Sequence, residues 1–201
     1  FASELSALTV LESMPQQLEM QAIWDFLSLQ YIPAPYTVYE NVYKLLPGHI
    51  LEFDIPSGGL LTRRYWKPDY SKKSDISYDE AVAQLMDLMQ DSVRRRLISD
   101  VPLGVFLSGG MDSAIIAGLV SEISDSPVKC FSIGFDDKAY DERMSAAASA
   151  QLIKTYAKAG FEHHVKVVEP CDFSALELLA GHFGEPYADA SMLPTYLLSR
   201  F

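Results

Sequence analysis

Pro102-Leu103-Gly104-Val105-Phe106-Leu107-Ser108-Gly109-Gly110-Met111-Asp112-Ser113 changes character halfway along. Its first half is a short, nearly continuous apolar run bounded by turn residues, the signature of a strand buried on both faces in a parallel sheet. Its second half, from Ser108 to Ser113, lies where such a strand hands over to a helix. Gly109 and Gly110 are expected to adopt φ > 0 and to bring backbone N–H groups close to an anion. The helix start behind them adds unpaired donors and the positive end of a dipole. Ser108 and Ser113 supply hydroxyls for phosphate oxygens. Asp112 is out of place beside phosphate unless a divalent cation is present. Mg²⁺ takes oxygen ligands, commonly one or two carboxylates together with phosphates. The bland alternative is a tight turn with Asp112 capping a helix. Strand, acid and second serine together weigh against it.

Working outward, a helix is expected from about Asp112 to Ile123 and a strand over 128–133. A helix over 141–158, a strand over 165–168, and helices over 172–182 and 189–201 follow. Upstream, Ser77 with Glu80 three residues on is a capping box opening a helix that runs to about Ile98. Helices alternating with short buried strands imply an α/β fold: a parallel sheet with helices on both faces, binding ligands beyond the carboxyl ends of its strands. Residues 67–76 are polar and unpatterned and mark a domain boundary. Before them, 49–55 and 60–66 form a hairpin around Pro56-Ser57-Gly58-Gly59. A helix is expected over 17–30, ended by Pro33 and Pro35.

The charge balance excludes some functions. With 16 Lys+Arg against 27 Asp+Glu, the net charge is −11, which argues against a nucleic-acid surface. The basic run Arg94-Arg95-Arg96 reads as a solvated helix end. No apolar stretch approaches the roughly 18 residues of a membrane span, so no membrane partner is expected. Cys130 and Cys171 form no CxxC pair, and a reducing, cytoplasmic setting is the default. His163 and His164 are adjacent at an expected strand start, so they point to opposite faces and cannot chelate together. His49 reads as structural.

The loop is not GxxxxGK[ST], since no Gly-Lys pair occurs, nor is it GxGxxG. Ser108-Gly109-Gly110-Met111-Asp112-Ser113 resembles the SGGxDS signature of the ATP-pyrophosphatase superfamily. The stretch Arg96 to Leu107, Phe131-Ser132-Ile133-Gly134-Phe135, Tyr140-Asp141-Glu142 and Ala190 to Leu197 resemble the asparagine synthetase family more specifically. Tyr31-Ile32-Pro33-Ala34-Pro35, Lys44 to His49, and Arg64-Tyr65-Trp66 look like the tail of that family's glutaminase domain, which uses an N-terminal nucleophile.

The resemblance implies two parts. Residues 1–70 would be a β-rich remnant of the glutaminase domain, and 77–201 the N-terminal part of an adenine-nucleotide-hydrolase-like synthetase domain. Ser108, Gly109, Gly110 and Ser113 would grip the β and γ phosphates of ATP. Asp112 would hold Mg²⁺. Leu107, Ile133 and Gly134 would line adenine and ribose. The implied reaction adenylates a carboxylate, aspartate above all, releases pyrophosphate, and amidates the product with ammonia from glutamine. Phe1 stands where a nucleophilic cysteine is expected, and no SGEGxDE-like loop with a second acidic Mg²⁺ ligand is present. The chain therefore reads as a fragment, with an exposed sheet edge at residues 1–66 that invites association, a homo-oligomer included. Two alternatives stay open: a relative with a different acceptor, or a nucleotide-binding remnant without turnover. Glu185-Pro186 and Asp189-Ala190-Ser191 resemble a loop near the acceptor, although Asp189 is as good a helix cap.

Overall fold

The computed structural model describes residues 1–138, 141–168 and 173–201. Tyr140 and Cys171, both singled out above, lie outside the described residues. The chain divides into two compact units: 1–74 with 173–193, and 75–172 with 194–201.

In the first unit, a one-turn helix α1 (Leu5–Leu8) precedes α2 (Met20–Leu29). Glu19 starts α2 by accepting the Gln21 N–H, and Gln30 ends it in the left-handed region at φ 66°. The terminator is thus Gln30, whose N–H bonds the Phe26 carbonyl at 2.7 Å, and not the prolines that follow. Ala22, Ile32 and Val38 form the small core here. The hairpin β1 (His49–Asp54) and β2 (Gly59–Arg64) pairs antiparallel with His49 opposite Arg64. Asp54 closes the turn by accepting from the Ser57 N–H at 2.7 Å. Ile50, Leu51, Phe53, Leu60 and Leu61 of this two-stranded ribbon are exposed.

The second unit opens with α3 (Tyr78–Arg96), whose Ser77–Glu80 capping box forms as expected. A parallel sheet of β3 (Gly104–Phe106), β4 (Val128–Phe135) and β5 (Phe161–Val168), in the order β3-β4-β5, is flanked by helices. Between the strands run α4 (Met111–Ile123) and α5 (Arg143–Lys154). The sheet and its helices enclose Val93, Leu107, Ala117, Leu119, Val120, Val128, Cys130, Ala146, Ala150, Ile153 and Phe161. Burial pushes the Cys130 thiol up to about 12, so it is a core thiol that stays protonated.

The bounds of β3, α5 and β5 are among those that differ from expectation. Regular pairing in β3 begins at Gly104 rather than Pro102, because proline has no N–H for the ladder. Helix α5 is shorter than 141–158. Its early residues Asp141 and Glu142 turn their side chains to other partners, and Thr155 closes the end by donating its hydroxyl to the Leu152 carbonyl. Strand β5 starts four residues early, directly after Gly160 at φ 112°. His163 and His164 therefore sit in its interior, not at its start.

Helix α6 (Phe173–Phe183) belongs to the first unit, and the division between units falls inside α7 (Met192–Ser199). Asp189 lies ahead of α7 and accepts the Ser191 N–H at 2.7 Å, closing the turn that leads into it. No helix among the described residues is long and apolar enough to cross a membrane.

Candidate nucleotide site

Strand β3 ends against β4 through the Leu107 N–H, which donates to the Phe131 carbonyl at 2.9 Å. Leu107 is 2% exposed and so lies buried where the strand becomes the loop. Beyond it, Ser108-Gly109-Gly110 leads into α4 with Gly110 as N-cap. Glycine has no side chain to cap the helix, so the first-turn N–H groups keep no cap of their own. An uncapped helix start at the carboxyl edge of a parallel sheet is a ready anion site.

The loop is knitted by its two serines. The Ser108 and Ser113 hydroxyl oxygens lie 2.8 Å apart. The Ser108 N–H donates to Ser113 Oγ at 3.1 Å, the Gly110 N–H to Ser108 Oγ at 3.1 Å, and Ser113 Oγ donates to the Gly110 carbonyl at 3.0 Å. The two glycines do not take the positive φ expected of them; Gly110 has φ −83°. At Gly109 the constraint is tight space instead. A Cβ there would lie 3.0 Å from Glu142 Cβ and 3.1 Å from Ser145 Cβ.

Asp112 stands in the first turn of α4, exposed and without a hydrogen-bond or ion-pair partner among the described residues. No cluster of three or more His, Cys, Asp or Glu among those residues is placed to hold a metal. Asp112 thus offers one free carboxylate beside phosphate-type donors, a fit for a cation that arrives with phosphate as its other ligand.

Ile133 and Gly134 lie in β4, the neighbour of β3. Gly134 lies under Arg143, since a Cβ on it would fall 2.2 Å from Arg143 Cδ. Arg143 is held by two contacts from its Nε to Asp141 oxygens, at 2.7 and 2.9 Å, and by its Nη2 donating to the Phe135 carbonyl. The side-chain hydrogen bond between Arg143 and Asp141 holds the Asp141 carboxyl below the usual carboxylate range and keeps Arg143 firmly protonated. Glu142 reaches across from the N-cap of α5, and its Oε2 accepts the Gly109 N–H at 2.8 Å. Neither Glu142 nor Arg143 is among the expected site residues. The Tyr140-Asp141-Glu142 motif pointed to this segment without revealing its contact.

Below the loop lies a second pair missed in the sequence. Ser132 Oγ, 2% exposed, donates to the Leu107 carbonyl at 2.5 Å and sits 2.7 Å from His163 Nε2. Since Ser132 spends its proton on the carbonyl, His163 is the donor with its proton on Nε2. His164, on the opposite face, stacks on Phe131 at 5.3 Å between centroids. Burial and then the neighbouring His164 hold the His163 pKa below its ordinary value near 6.5. The unfolded chain therefore binds a proton more readily, so this contribution to stability is full above about pH 6.5 and declines as pH falls from there toward the folded value. Thermal melts at pH 7.5 and 5.5 should show an acid-induced loss of stability that is smaller in His163→Gln. An equal loss in both chains would remove His163 as its source.

The family model described as asparagine synthase matches residues 84–201, well over half of the chain. The chain belongs to the asparagine synthase family. A second family model, described as a glutamine amidotransferase domain, matches residues 1–66. Over 202 residues the chain is 33% identical to glutamine-hydrolyzing asparagine synthetase 1 of Bacillus subtilis (strain 168), covering 100% of this chain and 30% of that protein. It is 32% identical over 183 residues to glutamine-hydrolyzing asparagine synthetase 3 of the same strain, covering 86% of this chain and 29% of that protein. Similarity extends to amidase chyE of Penicillium rubens (strain ATCC 28089 / DSM 1075 / NRRL 1951 / Wisconsin 54-1255), at 30% over 171 residues, 76% of this chain and 24% of that protein. The chain thus spans about a third or less of these relatives.

Proposed function

We propose that this chain carries the ATP-binding part of an AMP-forming carbon–nitrogen ligase that converts aspartate to asparagine. The observation that carries this reading is the serine-knitted Ser108–Ser113 loop, ending a parallel strand and opening an uncapped helix, in a chain of the asparagine synthase family. Ser108, Gly109, Gly110 and Ser113 bind the β and γ phosphates, and the Leu107 backbone, Ile133 and Gly134 line adenine and ribose. Residues 77–201 then form part of an adenine-nucleotide-hydrolase-like domain. Residues 1–70 form part of a glutaminase-type domain whose ammonia comes from glutamine.

In the proposed reaction an aspartate carboxylate oxygen attacks the α-phosphorus of ATP. The bond to the bridging oxygen breaks, and pyrophosphate leaves. Ammonia attacks the acyl carbon, AMP departs, and a proton is lost to solvent. Asp112 is the residue that would hold Mg²⁺, which when bound supplies positive charge toward the departing pyrophosphate. The chain's own contribution is electrostatic and positional: fixed N–H donors and hydroxyls at the leaving group. A second reading keeps the adenylation and changes the acceptor, favoured by the similarity to amidase chyE.

Calorimetric titration with Mg·ATP, followed by aspartate-dependent exchange of labelled pyrophosphate into ATP, tests both levels. Mg²⁺-dependent ATP binding is expected, with exchange that needs aspartate. Exchange supported by another acid and not by aspartate would select the second reading. No ATP binding with or without Mg²⁺ would sink the nucleotide assignment.

A further inference from the structure

We propose that Glu142 is an internal anion that occupies the phosphate loop when no nucleotide is bound, and so sets the affinity of the site. The inference rests on the nucleotide reading of that loop.

Three observations lead to it. The Gly109 N–H, in the middle of the loop, donates to Glu142 Oε2 at 2.8 Å, across 33 residues of sequence. The flanking donors are satisfied within the loop: Ser108 N–H by Ser113 Oγ and Gly110 N–H by Ser108 Oγ. Glu142 is thus the acceptor supplied from outside the loop for its N–H groups, and it is a carboxylate, the same class of group as a phosphate oxygen. Second, Glu142 is the N-cap of α5, yet its side chain makes no capping bond to its own helix. A residue at that position ordinarily turns its oxygen back to the helix start; here it is spent on the loop. Third, the segment around it is anchored independently. Asp141 and the Phe135 carbonyl hold Arg143, which lies over Gly134. The start of α5 therefore has a tether of its own, and Glu142 can release Gly109 without unfolding the helix.

The two anions compete for one donor. A phosphate oxygen that takes the Gly109 N–H must displace the carboxylate, and like charges at one donor cannot both stay. Binding then carries a population cost: the apparent dissociation constant rises by the inverse of the fraction in which the loop is free. Because Glu142 is exposed, the contact is screened and the cost moderate. The released carboxylate can retake Gly109 when pyrophosphate departs, which favours clearance of the site. The proposal therefore predicts tighter phosphate binding on removal of the acid, whereas loss of a merely structural contact would weaken it.

The experiment uses the full chain and its Glu142→Gln and Glu142→Ala variants. Mg·ATP and Mg·pyrophosphate affinities are measured by calorimetry, and the Gly109 amide resonance is followed by ¹⁵N NMR from pH 7 to 3 without ligand. Removing the competitor is expected to tighten both ligands by roughly 3- to 10-fold. In the unsubstituted chain the Gly109 amide should shift as the carboxylate titrates, and in Glu142→Gln it should not. Unchanged or weaker binding in both variants overturns the proposal. So does a Gly109 resonance that titrates identically in the unsubstituted chain and in Glu142→Gln. The NMR arm needs no nucleotide, so it separates the two claims. A carboxylate-linked Gly109 shift with no ATP or pyrophosphate binding in any chain would sink the nucleotide reading and, with it, the role of Glu142 as competitor. Binding that appears only in the variants would support the proposal in its strongest form.

Discussion

Asp112→Ala is expected to abolish Mg²⁺-dependent ATP binding while leaving the chain folded. Asp112 is exposed in the first turn of α4 and has no partner among the described residues, so nothing in the core depends on it. An acidic residue there interacts favourably with the helix dipole, but only by about 0.3–1 kcal/mol. The expected functional loss is much larger. Altering residues that merely support a metal ligand costs about 10–100-fold in affinity, so removing the ligand itself should cost on the order of 100-fold or more. Calorimetry with ATP in the presence and absence of Mg²⁺ gives the answer, with circular dichroism as the control for folding. A folded variant that binds Mg·ATP like the parent chain would show that Asp112 is no metal ligand.

Leu107→Ala should do the opposite, damaging the fold and reaching the site through it. Leu107 is the largest fully buried side chain among the described residues, at 2% exposed, and stands where the strand becomes the loop. Deleting such a side chain typically costs about 2–5 kcal/mol, depending on how far the cavity collapses. For a unit of this size the melting temperature should fall by roughly 10 °C or more. The Leu107 N–H and carbonyl are both engaged, with the Phe131 carbonyl and the Ser132 hydroxyl, so relaxation of the side chain will be felt in the loop. Denaturant titration of the variant measures the loss. A change under 1 kcal/mol would mean the site collapses almost completely around the smaller residue.

The strand–loop–helix unit was legible because its signals are local. An apolar run, two glycines and an amphipathic continuation lie within a dozen residues, and the helix starts one residue from where it was expected. The capping box at Ser77 and Glu80 was readable for the same reason, its partners being three residues apart. The full length of β5 is not legible because Glu162, His163 and His164 interrupt its apolar pattern. What those polar groups do is decided by the neighbouring strand, where Ser132 receives His163 and Phe131 receives His164. The ends of α5 are not legible because the helical pattern of its sequence continues past both of them. Glu142 is legible only as part of the Tyr140-Asp141-Glu142 motif and its contact is not, since its partner is a backbone N–H 33 residues away and no spacing rule connects them. Neither Gly109 nor Gly110 takes the positive φ expected of it, and at Gly109 the tight constraint is the close approach of Glu142 and Ser145.

The allocation of residues 173–193 to the N-terminal unit has a consequence for biogenesis. Residues 1–74 emerge before 75–172, yet the helix that completes their unit follows only after the whole of 75–172 has been made. Lys44 shows the dependence at one residue, since its ammonium is paired with Glu185. Until then the early segment is unfinished, because α1 lacks the helix α6 against which it packs. The intervening sheet can form on its own in the meantime, from contacts that are nearer in sequence. Assembly order thus runs against chain order: 75–172 can settle first, and 1–74 wait for 173–193. Closing so long a span is slow relative to local pairing, which makes the N-terminal unit the vulnerable stage for chaperone capture and for cleavage by proteases.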